Sequence, residues 1–220
     1  EPFVLNLASL NDFIYQKSIS HVKNSIRLSS DLRGSFYSFH AGFLLDPKVS
    51  ELGKTIKKNI LYDKKKAFAR FISALERLAK YAEKLNIKLL VENNVLTKSN
   101  LNKFKTNPLL MVNIEDTLET IKSFPKNVYL LIDVAHLKVS AKTLEFDPIK
   151  YLNETSNKTM AYHLSDNDGL VDSNDIVTEK SWFWSHIRKD LDYYSLEVYN
   201  KDPMLLKAQL KLAKSMLSDL

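Results

Sequence analysis

The chain has 220 residues, of which 45% are hydrophobic, and its formal net charge is +6. This length allows one sizeable hydrophobic core in one or two domains. The sequence contains no cysteine, which excludes disulfides and thiolate metal ligands, so any metal must be held by carboxylate, imidazole or water, as suits Zn, Mn, Co or Mg. We find no apolar run long enough to span a membrane and no recognisable signal peptide. We therefore expect a cytoplasmic protein that has no membrane partner.

Short apolar runs alternate with stretches of helical spacing along most of the chain. In chain order the patterns predict a strand or loop at Phe3–Leu7, a helix at Asp12–Leu32, a strand at Ser35–His40, a helix at Asp63–Leu85, a strand at Ile87–Val91, a helix at Ile114–Ser123 and a strand at Val128–Ile132. After these we expect a loop or short helix at Val134–Thr143, a short helix at Asp147–Asn153, a strand at Thr159–Leu164, a helix at Trp182–Asp190, a strand at Tyr193–Tyr199 and a helix at Pro203–Leu217.

Three connecting segments have no clean period. Phe43–Tyr62 is long for a plain connection, and loops of that length are often functional lids. Glu92–Asn107 is polar, and Ser165–Ser181 is acidic. The segments contain no Gly-rich phosphate-binding loop. No linker interrupts the pattern, so we expect a single domain over residues 1–220.

The alternation of strands and helices is typical of an α/β fold with parallel strands and helical crossovers. The predicted strands are apolar almost throughout, as expected when both faces of a sheet are covered. Four residues that bear carboxylate or imidazole groups stand at or just past the ends of these apolar runs: Glu92, Asp133, His163 and Glu197. Carboxylates at such places are costly to desolvate unless something positive lies beside them. A divalent cation held by these four residues would supply that charge.

Each of these residues also has a less specific explanation. Asp133 could cap the following turn through its side chain, and His163 could be an ordinary buried histidine. Glu92 and Glu197 could each pair with a lysine, for example Lys138 or Lys201.

The other histidines fall into two groups. His40 lies at a strand end and His136 lies three residues past Asp133, whereas His21 and His186 lie in predicted helices and are interpreted as surface or packing residues.

Five segments carry a family resemblance when taken in order. They are Ser38-Phe39-His40-Ala41-Gly42, Val91-Glu92-Asn93, Ile132-Asp133-Val134-Ala135-His136, His163-Leu164-Ser165-Asp166 and Leu196-Glu197-Val198. Together they resemble the xylose isomerase-like TIM-barrel superfamily, which includes sugar isomerases, ketose 3-epimerases and zinc-dependent AP endonucleases. Leu5-Asn6-Leu7-Ala8-Ser9 is similar to the segment that follows the third strand in that family. The resemblance implies a (β/α)8 barrel whose first two to three strands are missing from this chain, and a domain that is incomplete at its N-terminal side.

The resemblance also implies a site and a reaction. Glu92, Asp133, His163 and Glu197 would hold one divalent metal ion, and Glu92 and Glu197 would also be the catalytic acid and base. His40, His136 and Asp172 would bind substrate or an additional metal. The implied function is a metal-dependent isomerase or epimerase of a small sugar or sugar phosphate that abstracts a proton next to a carbonyl, and the implied partner is that sugar.

Two alternatives stay open at this point. The first is a zinc-dependent phosphodiesterase like the AP endonucleases, which need an Asp-x-His after the seventh strand. This chain has Asp172-Ser173-Asn174 there, and asparagine is a poor zinc ligand. The acidic segment Ser165–Ser181 would also repel a nucleic-acid backbone, so we do not expect a nucleic-acid partner. The second alternative is a non-catalytic protein of a carbohydrate pathway that keeps the same residues.

Overall fold

A computed structural model of the protein describes residues 2–57 and 60–218. These residues form five strands, which are β1 (Phe36–His40), β2 (Lys88–Glu92), β3 (Val128–Asp133), β4 (Thr159–Leu164) and β5 (Tyr193–Leu196). The α-helices of the described residues are α1 (Asp12–Asp31), α2 (Lys64–Glu83), α3 (Lys98–Phe104), α4 (Ile114–Lys122), α5 (Val134–Leu144), α6 (Pro148–Thr155) and α7 (Pro203–Ser218).

The five strands form one parallel sheet in the order β1-β2-β3-β4-β5. Each strand therefore lies beside the one that precedes it in the chain, as in a barrel, and the order never reverses as it does in a doubly wound sheet. The sheet is strongly curled, as the two outer strands show: the ring centroids of Phe36 on β1 and Tyr193 on β5 lie 4.5 Å apart across its concave side. The hydroxyl groups of Ser35 and Tyr193 are also in contact there. The architecture is a partial TIM barrel, as the sequence predicted.

The two faces of the sheet have different neighbours. Leu89, Val91, Leu130 and Ile132 belong to the main core, together with buried residues of the helices. The residues between them point to the concave face, where Leu90, Leu131 and Ala161 form a small separate apolar cluster. By the same alternation, the side chains at positions 92, 133, 163 and 197 belong to the concave face.

The strand register brings the carboxyl ends together. His40 pairs with Glu92, and Asp133 pairs with His163. Leu164 pairs with Leu196, and the next residue, Glu197, still donates its backbone N–H to the Leu164 carbonyl at 3.1 Å. The carboxyl ends of all five strands therefore share one rim.

Several helix predictions are confirmed by their caps. Asp63 accepts a hydrogen bond from the backbone of Lys66 at the start of α2, and Asn113 does the same for Asp116 at the start of α4. Val134–Thr143 is helical, as α5. The polar stretch Glu92–Asn107 contains a helix, α3, that was not predicted; Thr97 caps it.

Phe3–Leu7 is a loop, one of the two structures expected for it. Two other predictions differ from the structure. β5 ends at Leu196, where a strand to Tyr199 was predicted. The prediction of a helix over Trp182–Asp190 is wrong, because that segment is a series of turns.

Phe183, Trp184 and Ile187 of this segment are buried in the main core at helical spacing. Side-chain bonds hold the segment along its length: the ring N–H of Trp184 donates to the Thr178 carbonyl, and the Arg188 side chain donates to the carbonyls of Ser156 and Thr159. The turns thus bury the same side chains that a helix would have buried.

The segment Phe43–Tyr62 contains a 3-10 turn at Val49–Glu51, and its residues 58 and 59 lie outside the described residues. No helix of the described residues combines the length and the apolar character needed to cross a membrane.

Candidate metal centre

Four of the predicted site residues converge at the rim of the sheet. Glu92 ends β2, Asp133 ends β3, His163 lies near the end of β4, and Glu197 directly follows β5. Each offers one ligand atom, and these four atoms all lie within 4.8 Å of one another. Four consecutive strands thus contribute one potential ligand each.

The Nδ1 atom of His163 is the common neighbour of the three carboxylates. It lies 2.7 Å from Glu197 Oε2, 3.3 Å from Glu92 Oε1 and 3.8 Å from Asp133 Oδ2. The side chain of Asp133 is completely buried and that of Glu92 is 7% exposed, whereas Glu197 is 30% exposed. The group is therefore closed on the β2–β3 side and open towards solvent on the β5 side.

Whether a cation fits this group can be judged from its buried polar atoms that lack a hydrogen-bond partner. Asp133 Oδ2, His163 Nδ1 and Glu197 Oε2 are buried atoms without a hydrogen-bond partner among the described residues. His163 Nδ1 and Glu197 Oε2 are close, but their geometry is not that of a hydrogen bond. A buried polar atom left unsatisfied is costly. Three such atoms around one point, with oxygen and imidazole nitrogen as the donors, fit a divalent cation of the Zn, Mn, Co or Mg type.

The electrostatics of the group also call for positive charge. Burial would raise the pKa of Glu92, but His40, His163 and His136 outweigh burial and lower it to about 2. Burial would lower the pKa of His163, but Glu197 and Glu92 outweigh burial and raise it to about 10. In the absence of a metal, a proton on His163 thus supplies the positive charge that a cation at this place would supply.

Asp133 has two roles that share one carboxylate. Its Oδ1 accepts a hydrogen bond from the backbone N–H of His136 at 2.7 Å and caps α5. Its Oδ2 remains free to face His163. Burial is the main cause that raises the pKa of Asp133, to about 6. The capping explanation from the sequence is correct, and it leaves a ligand atom available.

The lysine pairing considered for the glutamates does not occur at Lys138. The amine of Lys138 donates to Asp166 at 2.6 Å, with no contact to Glu92.

The residues predicted to bind substrate or a further metal lie beside the four. His40 Nε2 lies 3.8 Å from Glu92 Oε2, and the rings of His40 and His136 lie 5.5 Å apart. His136 Nε2 lies 3.2 Å from Asp172 Oδ2. His40, Glu92 and His136 form a second group whose atoms meet the same 4.8 Å limit. Neither His21 nor His186 belongs to either group.

One atom of this second group is already engaged. His136 Nδ1 lies 3.0 Å from the carbonyl oxygen of Asn93, which can only accept, so Nδ1 carries a hydrogen there. Burial would lower the pKa of His136, but Asp133 and Asp172 outweigh it and raise the pKa well above its ordinary value. The second group is therefore a poorer metal site than the first.

Comparisons with known proteins identify the family and the fold of the chain. The family model of the xylose isomerase-like TIM barrel matches residues 1–194. No curated protein sequence matches the chain. A solved D-tagatose 3-epimerase-like protein is similar in fold, with a TM-score of 0.72 and 19% identity, over 98% of this chain and 74% of that one.

Two further solved structures share the fold. A Thermus thermophilus protein that was soaked with ZnCl2 has a TM-score of 0.65 and 19% identity, over 97% of this chain and 76% of that one. The D-psicose 3-epimerase of Clostridium cellulolyticum, solved with D-tagatose, has a TM-score of 0.65 and 14% identity, over 97% of this chain and 75% of that one. With the family model matched over most of its length, the chain belongs to the xylose isomerase-like TIM-barrel family.

Proposed function

We propose that the protein is a metal-dependent isomerase or epimerase of a small sugar or sugar derivative. The observation that carries the proposal is the convergence of Glu92, Asp133, His163 and Glu197. Their ligand atoms lie within 4.8 Å of one another, and three of their buried atoms lack a hydrogen-bond partner in the part of the chain that the structure describes. Family membership and the fold shared with 3-epimerases support it. The sugar epimerases are similar in fold only, so the activity is our inference from the site.

The proposed metal ligands are these four side chains. A divalent cation held there would polarise the carbonyl of a bound sugar and offset the negative charge that develops on its oxygen. Asp133 and His163 act only as ligands in this scheme. His136, which lies next to Asp172, would hydrogen-bond a substrate oxygen, and His40 would border the same space.

Glu92 and Glu197 are the proposed acid and base. They approach His163 from strands that are separated by two others, so a substrate carbon between them can be reached from two sides. One of the two carboxylates removes the proton from the carbon next to the carbonyl, and the electron pair of that C–H bond moves towards the carbonyl oxygen. The other carboxylate, which must hold a proton at that stage, returns it to the opposite face of the carbon, and the carbonyl is restored.

A screen of sugars and sugar phosphates in deuterated water tests the proposal, with Mn, Zn, Co or Mg supplied. We expect one carbon-bound hydrogen of the true substrate to exchange for deuterium. The Glu197→Gln variant should lower the exchange rate by at least about a hundredfold, the usual contribution of a general base. Glu119→Gln is the matched control, because Glu119 lies on α4, outside both groups, and the same chemical change there should leave the rate unaltered.

Two results would contradict the proposal. One is a Glu197→Gln variant that exchanges at the parent rate. The other is a metal-loaded protein that turns over none of the sugars, which would favour the non-catalytic alternative.

The second group, His40 with Glu92 and His136, favours a second candidate function, a phosphodiesterase that uses more than one metal. That function requires at least two tightly held metal ions per chain and cleavage of abasic-site DNA. We expect one ion per chain by elemental analysis after dialysis, because His136 Nδ1 is engaged by Asn93 and Asn174 stands where the AP endonucleases need a histidine. A count of two or three ions would favour the phosphodiesterase.

A further inference from the structure

Asn93 is a fully buried residue, 1% exposed, and directly follows Glu92. Its side-chain oxygen accepts a hydrogen bond from the backbone N–H of Asp133 at 2.8 Å, and its side-chain amide donates to the carbonyl of Asp133 at 3.1 Å. Both backbone hydrogen-bonding groups of Asp133 are thus paired with a single amide side chain. The pair continues the β2–β3 ladder one step beyond Glu92, where the strand itself has ended.

This pair of hydrogen bonds connects the ends of the two strands that carry Glu92 and Asp133. Glu92 and Asp133 do not lie opposite each other in the register, because Glu92 pairs with Leu131. The side chain of Asn93 spans that offset of two residues and holds the backbone of Asp133 on both sides of its Cα. No other side chain among the described residues bonds to the Asp133 backbone in the structure.

The backbone of Asn93 fixes a third member of the site. Its carbonyl oxygen accepts from Nδ1 of His136, which leaves Nε2 directed at Asp172 at 3.2 Å. One residue therefore holds Asp133 through its side chain and His136 through its carbonyl, and stands next to Glu92 in the chain.

We propose that Asn93 is a positioning residue that sets the distance between the ligand carboxylates of Glu92 and Asp133 and the orientation of the His136 ring. This inference rests on the proposed function, since it assumes that a cation is held by Glu92, Asp133, His163 and Glu197. Asn93 itself touches neither metal nor substrate. Residues that orient ligands in this way commonly change metal affinity by about 10–100-fold when they are replaced.

The chain offers a matched control in the next residue. Asn94 is almost equally buried, and its side-chain amide also donates to backbone carbonyls, those of Ala41, Gly42 and Leu110. These bonds hold the β1–α2 and α3–α4 connections and do not involve the four proposed ligands. Asn94→Ala therefore removes a buried amide of the same kind from a place beside the site.

The experiment is a Co²⁺ titration of the parent, Asn93→Ala and Asn94→Ala proteins, followed by visible absorption. We expect Asn93→Ala to weaken Co²⁺ binding by about 10–100-fold and to change the shape and intensity of the bound Co²⁺ spectrum. Asn94→Ala should keep the parent spectrum, even if it lowers thermal stability. Circular dichroism identifies folded variants, and Asn93→Ser, whose hydroxyl is too short to reach Asp133, replaces Asn93→Ala if the latter does not fold.

The outcomes separate this inference from the proposed function. If Asn93→Ala binds Co²⁺ with the parent affinity and spectrum, Asn93 does not position the site, although the proposed function stands. If Asn94→Ala changes the spectrum as much as Asn93→Ala does, the effect is general loosening and the inference is also overturned. If the parent protein binds no Co²⁺, the proposed metal site fails and the inference fails with it.

Discussion

At the scale of single residues, the site has an excess of negative charge that a bound cation would neutralise. The carboxylates of Glu92, Asp133 and Glu197 surround one ring nitrogen of His163. Three acidic groups this close repel one another, and the histidines beside them offset part of that repulsion. The raised pKa of His163, about 10, is the measure of this imbalance.

Metal binding should therefore release a proton. At pH 8 the ring of His163, with its pKa raised to about 10, is protonated in the metal-free protein, whereas Asp133, with a pKa of about 6, is ionised. A metal needs the neutral imidazole, so it must displace that proton. The apparent affinity should rise with pH below 10, by up to about tenfold per pH unit.

Calorimetric titration with Zn²⁺ in two buffers of different ionisation enthalpy measures the number of protons released. We expect about one proton per ion at pH 8, and the same number in a His21→Gln control, since His21 is exposed on α1. Binding that is independent of buffer and of pH would show that His163 is not a ligand.

The sequence was sufficient to predict that the four proposed ligands converge, but not to identify Asn93. Glu92, Asp133, His163 and Glu197 stand out because charged or imidazole groups follow apolar runs, and parallel strands bring such ends to one rim. Asn93 bonds to the backbone of a residue 40 positions away. The residue type at position 133 does not predict these hydrogen bonds, because any residue other than proline would offer the same backbone groups there.

At the scale of elements, the long segment Phe43–Tyr62 is attached to the rest of the molecule at its start. The side-chain amide of Asn6 lies 3.1 Å from the Phe43 carbonyl, 2.9 Å from the Leu45 carbonyl and 2.8 Å from Asp46 Oδ1. The backbone at Gly42, just before this segment, also lies very close to Ala8. A Cβ added to Gly42 would lie 2.3 Å from the Cβ of Ala8. The expectation that this segment is a lid remains a prediction, and these bonds hold its first residues in place.

Replacing Asn6 should release this attachment. In Asn6→Ala the buried carbonyls of Phe43 and Leu45 lose their shared donor, which should lower the free energy of unfolding by at least about 2 kcal/mol. Limited proteolysis should also cut within residues 43–62 faster than in the parent. Asn24→Ala, a position on the outer side of α1, should change stability by no more than about 0.5 kcal/mol. Equal stability of the two variants would show that the bonds of Asn6 are not needed.

Element prediction worked where local signals and packing agreed. The period of Asp63–Leu85 and its cap at Asp63 both indicate the helix that became α2. It did not work for Trp182–Asp190, where Phe183, Trp184 and Ile187 have helical spacing but are buried from a series of turns. The spacing of apolar residues indicates which side chains are buried, and it does not distinguish a helix from turns that bury the same residues.

At the scale of the whole molecule, the sheet of the described residues has two open edges. β1 pairs only with β2, and β5 only with β4. Inner-face residues are buried on the central strands, as at Leu90 and Leu131, but Ser195 on β5 is exposed. A TIM barrel has eight strands and no edge. We therefore propose that the chain belongs to a single barrel domain whose edges are covered by further strands.

This architecture predicts how the 220-residue chain behaves on its own. Unpaired N–H and C=O groups along β1 and β5 are templates for pairing with another chain, so the sedimentation coefficient should rise with protein concentration. Hydrogen exchange should slow at 36–40 and 193–196 over the same range as copies pair, while the central strand at 128–133 serves as the internal control because both of its sides are already paired. The contrary result is a chain that stays monomeric at every concentration and whose amides on β1 and β5 are protected as well as those of β3. It would mean that the two edges of the sheet are already closed, and that further strands are not needed to cover them.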